Sequence, residues 1–157
     1  HWIADHNDLL NNIHKVLKPG GLLICEFGAA GNIATPEWDA KNLFVRDDKK
    51  SNYYLITVKG DKRVDLKAFR RQHGLRALSF ASAEDLLDIM KLTSGSVTPL
   101  GILNDGEHRI HFYLDAEFAG NKICIHPNDN TATIWMQADD LMEIIQNYGN
   151  HAEYTDI

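Results

Sequence analysis

The sequence predicts an α+β domain with strands in the majority, and three observations carry that prediction. From Trp38 onward, short apolar runs recur between clusters of Asn, Asp, Gly and Ser, as strands punctuated by turns do. Helical spacing, with apolar residues at i, i+3/i+4 and i+7, is confined to a few segments. At 157 residues, 44% hydrophobic and 24% charged, the chain has the make-up of one globular domain, or one domain with a short appendage.

Taken in order, residues 7–17 set Leu9, Leu10, Ile13, Val16 and Leu17 on one helical face. Asn7 or Asp8 can cap that helix, and Pro19-Gly20-Gly21 ends it. Residues 22–27 read as a buried strand, and 28–36, rich in small residues and turn formers, as a linker. Residues 42–45 and 53–58 read as two strands joined by the polar turn 46–52. A short helix is predicted over 64–72, opened by Asp65 and closed near Gly74, then a strand over 77–81. Ser82-Ala83-Glu84-Asp85 has the form of a capping box ahead of Leu86, Leu87, Ile89 and Met90, so a helix follows. Residues 91–104 read as a loop, and 109–114, 122–126 and 131–136 as strands. The last helix is predicted over 139–148, where Asp139 and Asp140 suit its positive end.

Composition also excludes classes. No stretch approaches the roughly 18 consecutive apolar residues of a membrane span; the best apolar run, Leu22 to Cys25, meets Glu26 at once. Two cysteines, Cys25 and Cys124, make no disulfide framework and suit reduced core positions. With no basic-then-apolar leader, a cytoplasmic location is expected. The net charge of −6 conceals an asymmetry. Residues 41–76 hold eleven of the sixteen basic residues and four of the twenty-two acidic ones, a local charge of +7 against −13 elsewhere. Such a segment suits a polyanion, although on composition alone a basic solvated face balanced by acids elsewhere in the fold is the favoured reading.

Few side-chain patterns offer chemistry. His108-x-x-His111 would point to opposite faces of a strand, and Cys124-x-His126 has no second pair to complete four ligands, so no metal site is expected. There is no G-x-S-x-G elbow, and Gly28-x-x-Gly31 lacks the full dinucleotide-binding spacing. Two clusters stand out. In the 95–101 loop, two glycines flank a proline, a stiff turn whose amides can face an anion or oxyanion. Residues 126–133 form a dense polar run between two apolar strands. A plain connecting loop and a plain turn remain alternatives for the two. Lys41 opens an apolar strand, where it can snorkel outward or serve as a fixed cation.

From about Trp38 to the end, the chain resembles the YbaK/ProX family of aminoacyl-tRNA editing domains, and most of all its free-standing ProX-type members. The matching residues are Ala40-Lys-Asn-Leu-Phe-Val-Arg-Asp47, Tyr53-Tyr-Leu-Ile-Thr57, Asp61-Lys-Arg-Val-Asp-Leu66, Leu78-Ser-Phe-Ala-Ser82, Gly95-Ser-Val-Thr-Pro-Leu-Gly101 and His126-Pro-Asn-Asp-Asn-Thr-Ala-Thr133. The resemblance implies a curved, mixed and largely antiparallel sheet, barrel-like, with flanking helices. It implies hydrolysis of the ester joining alanine or cysteine to the 3′ end of proline tRNA, with prolyl-tRNA synthetase as a further partner and no cofactor. Lys41 matches the family's functional lysine, and the 95–101 loop the one whose amides hold the aminoacyl carbonyl. In this family the terminal ribose hydroxyl helps to position water, which suits the lack of a triad. On this basis Lys41 and Gly101 are the expected catalytic residues. Asn42, Phe80, Gly95, Thr98, Pro99, Leu100, His126, Asn130 and Thr131 are the expected substrate-binding residues, and Lys62, Arg63 and Arg70 the expected tRNA contacts.

Residues 1–36 do not follow the family's opening pattern. Trp2 to His6 and Leu17 to Gly28 resemble a late helix–turn–strand piece of a class I methyltransferase, without that family's glycine-rich cofactor loop. The expected division is an atypical segment at 1–36 and an editing domain at 37–157. The alternative function is a tRNA- or aminoacyl-binding module that keeps the fold without turnover.

Overall fold

Backbone pairing arranges the described residues into two sheets. The computed structural model describes residues 38–125 and 134–157, and the backbone of 23–27 and 132–133. The predicted helix over 7–17 and the linker over 28–36 lie outside the described residues, as do His126, Asn130 and Thr131. The strands are β1 (Leu23–Phe27), β2 (Ala40–Asp47), β3 (Tyr53–Lys59), β4 (Leu78–Phe80), β5 (Ile110–Asp115), β6 (Lys122–Ile125), β7 (Ala132–Gln137) and β8 (Ala152–Thr155). Five form a mixed sheet in the order β4-β2-β3-β5-β8, in which β2 is antiparallel to β3 and β4 while β5 is parallel to β3 and β8. The other three form an antiparallel sheet, β1-β7-β6. An isolated parallel bridge, Asp39 to Cys124, links the two sheets, and their ladders do not close into a barrel among the described residues. β1 pairs along its length with β7, from Leu23 opposite Met136 to Phe27 opposite Ala132.

Among the described residues, three α-helices accompany the sheets. In α1 (Leu66–His73), Asp65 accepts hydrogen bonds from the amides of Lys67 and Ala68, and Gly74 closes the helix in the left-handed conformation at φ 65°. The predicted capping box is present before α2 (Ala83–Asp85): the Ser82 hydroxyl accepts from the Asp85 amide at 3.1 Å and the Asp85 carboxylate from the Ser82 amide at 3.4 Å. The turn that follows, Leu86–Met90, is wound as a π-helix, burying Leu86, Ile89 and Met90, and Lys91 stops it at φ 57°. α3 (Ala138–Tyr148) buries Ala138, Leu141, Met142, Ile144 and Ile145, the spacing that the sequence displays.

The five-stranded sheet has a core on each face. Phe44, Leu55, Phe112 and Leu114 face the larger one, with the second sheet, α3 and Leu100. Val45, Tyr54, Ile56, Val58 and Tyr113 face the smaller one, closed by Phe69 of α1. β3 is buried on both faces, which explains an apolar run interrupted only by Thr57.

Two departures from expectation have physical reasons. Residues 91–104 are not all loop: Pro99–Asn104 winds as a 3₁₀ helix, with Pro99 at its first turn, where no amide is needed. β8 has no apolar alternation to announce it. It is held by parallel pairing with β5 and by the buried Asn150 before it, whose amide donates to Asp105 and the Ile110 carbonyl, each at 2.9 Å.

Candidate functional site

Adjacent residues of an extended strand point to opposite faces, and at the start of β2 that rule separates Lys41 from Asn42. Asn42 turns toward the larger core. Its side-chain amide donates to the Val97 carbonyl at 3.0 Å, and its carbonyl oxygen accepts from the hydroxyl of Thr57, its register partner on β3, at 2.6 Å. Thr57 is fully buried, so its hydroxyl must find an acceptor within the protein. The chain Thr57–Asn42–Val97 fastens the 95–101 loop to the sheet.

That loop is anchored at one end and open at the other. Gly95 has φ 90° and open space where a side chain would stand. Thr98 is extended, as a residue before proline must be, and Thr98, Pro99, Leu100 and Gly101 are buried. Gly101 lies so close to the core that a Cβ on it would come within 2.6 Å of Leu92 and 2.9 Å of Met90. The amide of Ser96 donates to the Thr93 carbonyl and that of Gly101 to the Thr98 carbonyl, both at 3.0 Å. The Gly101 amide is therefore engaged inside the loop.

Lys41 turns to the face that α1 covers, where its ammonium donates to the Lys62 carbonyl. No carboxylate lies within ion-pair distance of it among the described residues. Beside it, among the described residues, the outer edge of β2 has no paired strand: β6 reaches that side only at Asp39, through the bridge to Cys124. β4 pairs only with Val45, Arg46 and Asp47, and the Ala81 amide with the Phe44 carbonyl, so among the described residues no strand covers residues 40–43 on that side. Lys41 on one face and Asn42 with the loop on the other therefore flank an edge that is unpaired among the described residues.

The cations of residues 41–76 divide into two sets. Arg46 pairs with Asp85, Arg76 with Asp48, and Lys62 with the buried Asp115 at 2.6 Å and Glu117 at 3.1 Å. Burial opposes the charge on Lys62, but hydrogen bonds to the two carboxylates outweigh it and hold its pKa above the ordinary lysine value. Arg63 and Arg70, by contrast, have no ion pair among the described residues. Phe80, on β4, is 63% exposed.

Among the expected site residues, Asn42 and the 95–101 loop come together, while Lys41 and Phe80 stand on the other face of the sheet. Thr57 and the Val97 carbonyl were not singled out from the sequence. Thr57 sits inside an apolar strand, and only its cross-strand register with Asn42 gives it a role. Among the described residues, no three His, Cys, Asp or Glu side chains gather as a metal site, and no helix is long and apolar enough to cross a membrane.

Comparison with known proteins adds a family. The model of the aminoacyl-tRNA editing domain matches residues 27–144. The prolyl-tRNA editing protein ProX of Acetoanaerobium sticklandii is 38% identical over 120 residues, covering 76% of this chain and 73% of that one. Prolyl-tRNA synthetase associated domain-containing protein 1 of Bos taurus is 33% identical over 117 residues, covering 71% and 67%. Among solved structures, a candidate trans-editing enzyme for prolyl tRNA synthetase superposes with a TM-score of 0.70 at 19% identity, covering 94% of this chain and 92% of that one. The hypothetical protein APE2540 superposes at 0.69 and 16% identity, covering 94% and 98%. At such identities these two likenesses establish the fold.

Proposed function

Because the chain belongs to the aminoacyl-tRNA editing domain family, we propose that it is an aminoacyl-tRNA deacylase that hydrolyses mischarged tRNA(Pro), carrying alanine or cysteine, in trans. In that reaction the oxygen of a water attacks the aminoacyl carbonyl carbon, the bond to the ribose oxygen breaks, and that oxygen leaves with a proton. The ester is activated already, so positioning and stabilisation of the developing oxyanion can supply most of the rate.

The observation that carries the proposal is the Thr57–Asn42–Val97 chain, which fixes a glycine- and proline-bearing loop beside the edge of β2 that is unpaired among the described residues. An ester presented at that edge meets the loop on one side and Lys41 on the other. An ammonium has three donors, and Lys41 gives one to the Lys62 carbonyl, which leaves two for an ester or phosphate oxygen. Gly101 acts through the loop's shape, since its own amide is bound to Thr98. His126, Asn130 and Thr131 are assigned to the amino acid pocket on the family resemblance alone. A cytoplasmic location and prolyl-tRNA synthetase as a partner belong to the same proposal. Pairing of β1 with β7 supports a structural part for the end of the 1–36 segment.

The test is deacylation of Ala-, Cys- and Pro-tRNA(Pro), with uncatalysed ester loss as background. Faster loss of alanine or cysteine than of proline is expected, and Lys41→Ala should remove it. Hydrolysis of none of them, with tRNA still bound, would leave the non-catalytic binding module in its place.

A further inference from the structure

A cavity of about 420 Å³ lies between α1 and β4, lined by Leu66, Lys67, Arg70, Arg71, Ala77 and Leu78. Three of its six lining residues are cations, and spacings of three and four residues put them on one face of the helix. Among the described residues none of the three has a carboxylate within ion-pair distance, whereas Arg46, Lys62 and Arg76 are all neutralised. Arg71 donates to the Lys67 carbonyl at 3.2 Å, and the Asp65 carboxylate is held by the amides of Lys67 and Ala68. Helix electrostatics explains only part of this. Arg70 and Arg71 suit the negative C-terminal turn, but Lys67 stands in the first turn, where the dipole opposes a cation. Three like charges on one short helix repel as well, so an anion in the groove would relieve both costs.

Phe80 provides an independent observation. It is paired directly opposite Val45, whose side chain faces the smaller core, so Phe80 shares the α1 side of the sheet with Leu78 of the cavity wall. A phenylalanine that is 63% exposed, two residues along β4 from Leu78 of the cavity wall, adds to the groove's cations what a nucleic acid chain needs: charges for phosphates, a flat ring for a base. Lys41 projects on the same face. It lies six residues along β2 from Asp47, the partner of Leu78, a distance of about 20 Å at the usual rise per residue.

We propose that the groove between α1 and β4 binds the sugar–phosphate chain of an RNA, with Lys67, Arg70 and Arg71 on its phosphates and Phe80 stacked on one of its bases. That the RNA is the acceptor end of the substrate tRNA rests on the deacylase reading; the groove itself does not. Lys62, paired with Asp115 and Glu117, is not among the residues that line this groove.

The experiment is binding of uncharged tRNA, followed by fluorescence anisotropy across a salt series. Replacing Lys67, Arg70 and Arg71 together with Gln should weaken binding more than about tenfold at low salt. It should also flatten the slope of log affinity against log salt by about 2–3. Phe80→Ala should cost about fivefold or more without changing the slope, and Phe80→Tyr should restore binding. Lys122→Gln, an exposed cation on β6, is the control and should change neither quantity. Circular dichroism on each variant separates loss of binding from loss of fold. Wild-type affinity and slope in the triple variant, or an equal loss per charge from Lys122→Gln, would overturn the proposal. Groove-dependent binding in a protein that deacylates nothing would retain the groove and remove the deacylase reading. Deacylation intact in the triple variant at unchanged KM and salt slope would do the reverse.

Discussion

The side chain of Asn42 donates to the backbone carbonyl of Val97 at 3.0 Å, tying a strand residue to a loop 55 positions away in sequence. The same side chain accepts from the buried Thr57 hydroxyl. Asn42→Ala therefore leaves that hydroxyl without its acceptor, at a cost of about 1–3 kcal/mol, and releases the loop. Denaturant unfolding should show the destabilisation, and hydrogen exchange of the Val97 and Thr98 amides should quicken. Asn42→Asp keeps the acceptor for Thr57 but loses the donor to Val97, so it should spare stability more than activity. Equal damage to both would contradict the arrangement.

Lys41→Ala should separate function from stability more sharply. The ammonium contributes one hydrogen bond to a carbonyl and no ion pair among the described residues, so stability should fall by no more than about 1 kcal/mol. Deacylation should fall by orders of magnitude. A variant that keeps full turnover would remove Lys41 from the reaction.

Gly101 admits no side chain without movement of Leu92 or Met90, both fully buried. Gly101→Ala should cost about 1–3 kcal/mol through overpacking, and Leu92→Ala in the same chain should recover part of it. Recovery in the double variant, read from urea midpoints, distinguishes crowding from an effect on the amide. Gly95→Ala meets nothing in space and should suffer only for its φ of 90°.

Stability should be greatest on a plateau bounded on both sides. The hydrogen bond from Lys62, then its charge, hold Glu117 below the ordinary glutamate value. Its contribution is present above the unfolded pKa of about 4.3 and is lost as pH falls through the folded value. On the alkaline side, burial, then the charge of Glu153 and the neighbouring Tyr54, push Tyr113 up to about 12. That contribution is complete below the unfolded value of about 10 and lost as pH rises toward the folded one. Lys62, also raised, acts in the same direction. Urea midpoints across pH should show both limbs, Glu117→Gln flattening the acid one and Tyr113→Phe part of the alkaline one. Ultraviolet titration of the folded protein should find Tyr113 ionising late; ionisation near 10 would contradict its burial.

Local chemistry made much of this molecule legible in the sequence. Asp65 and Gly74 announce the ends of α1, Ser82 and Asp85 their capping box, and Leu141, Ile144 and Ile145 the buried face of α3, because each depends on neighbours within one or two turns. The matched motifs identified the family for the same reason: residue order is a property of the chain. What the sequence could not decide was which distant groups meet. Thr57 became part of the site only through register with Asn42, and β8 became a strand only because β5 lay free to pair with it. Counting gave residues 41–76 a net charge of +7, but folding neutralised Arg46, Lys62 and Arg76 with Asp85, Asp115, Glu117 and Asp48 and left the α1 groove charged. Net charge is a sum over the chain, whereas the field a ligand meets depends on which charges lie within a few ångströms of each other, and tertiary contacts alone set those distances.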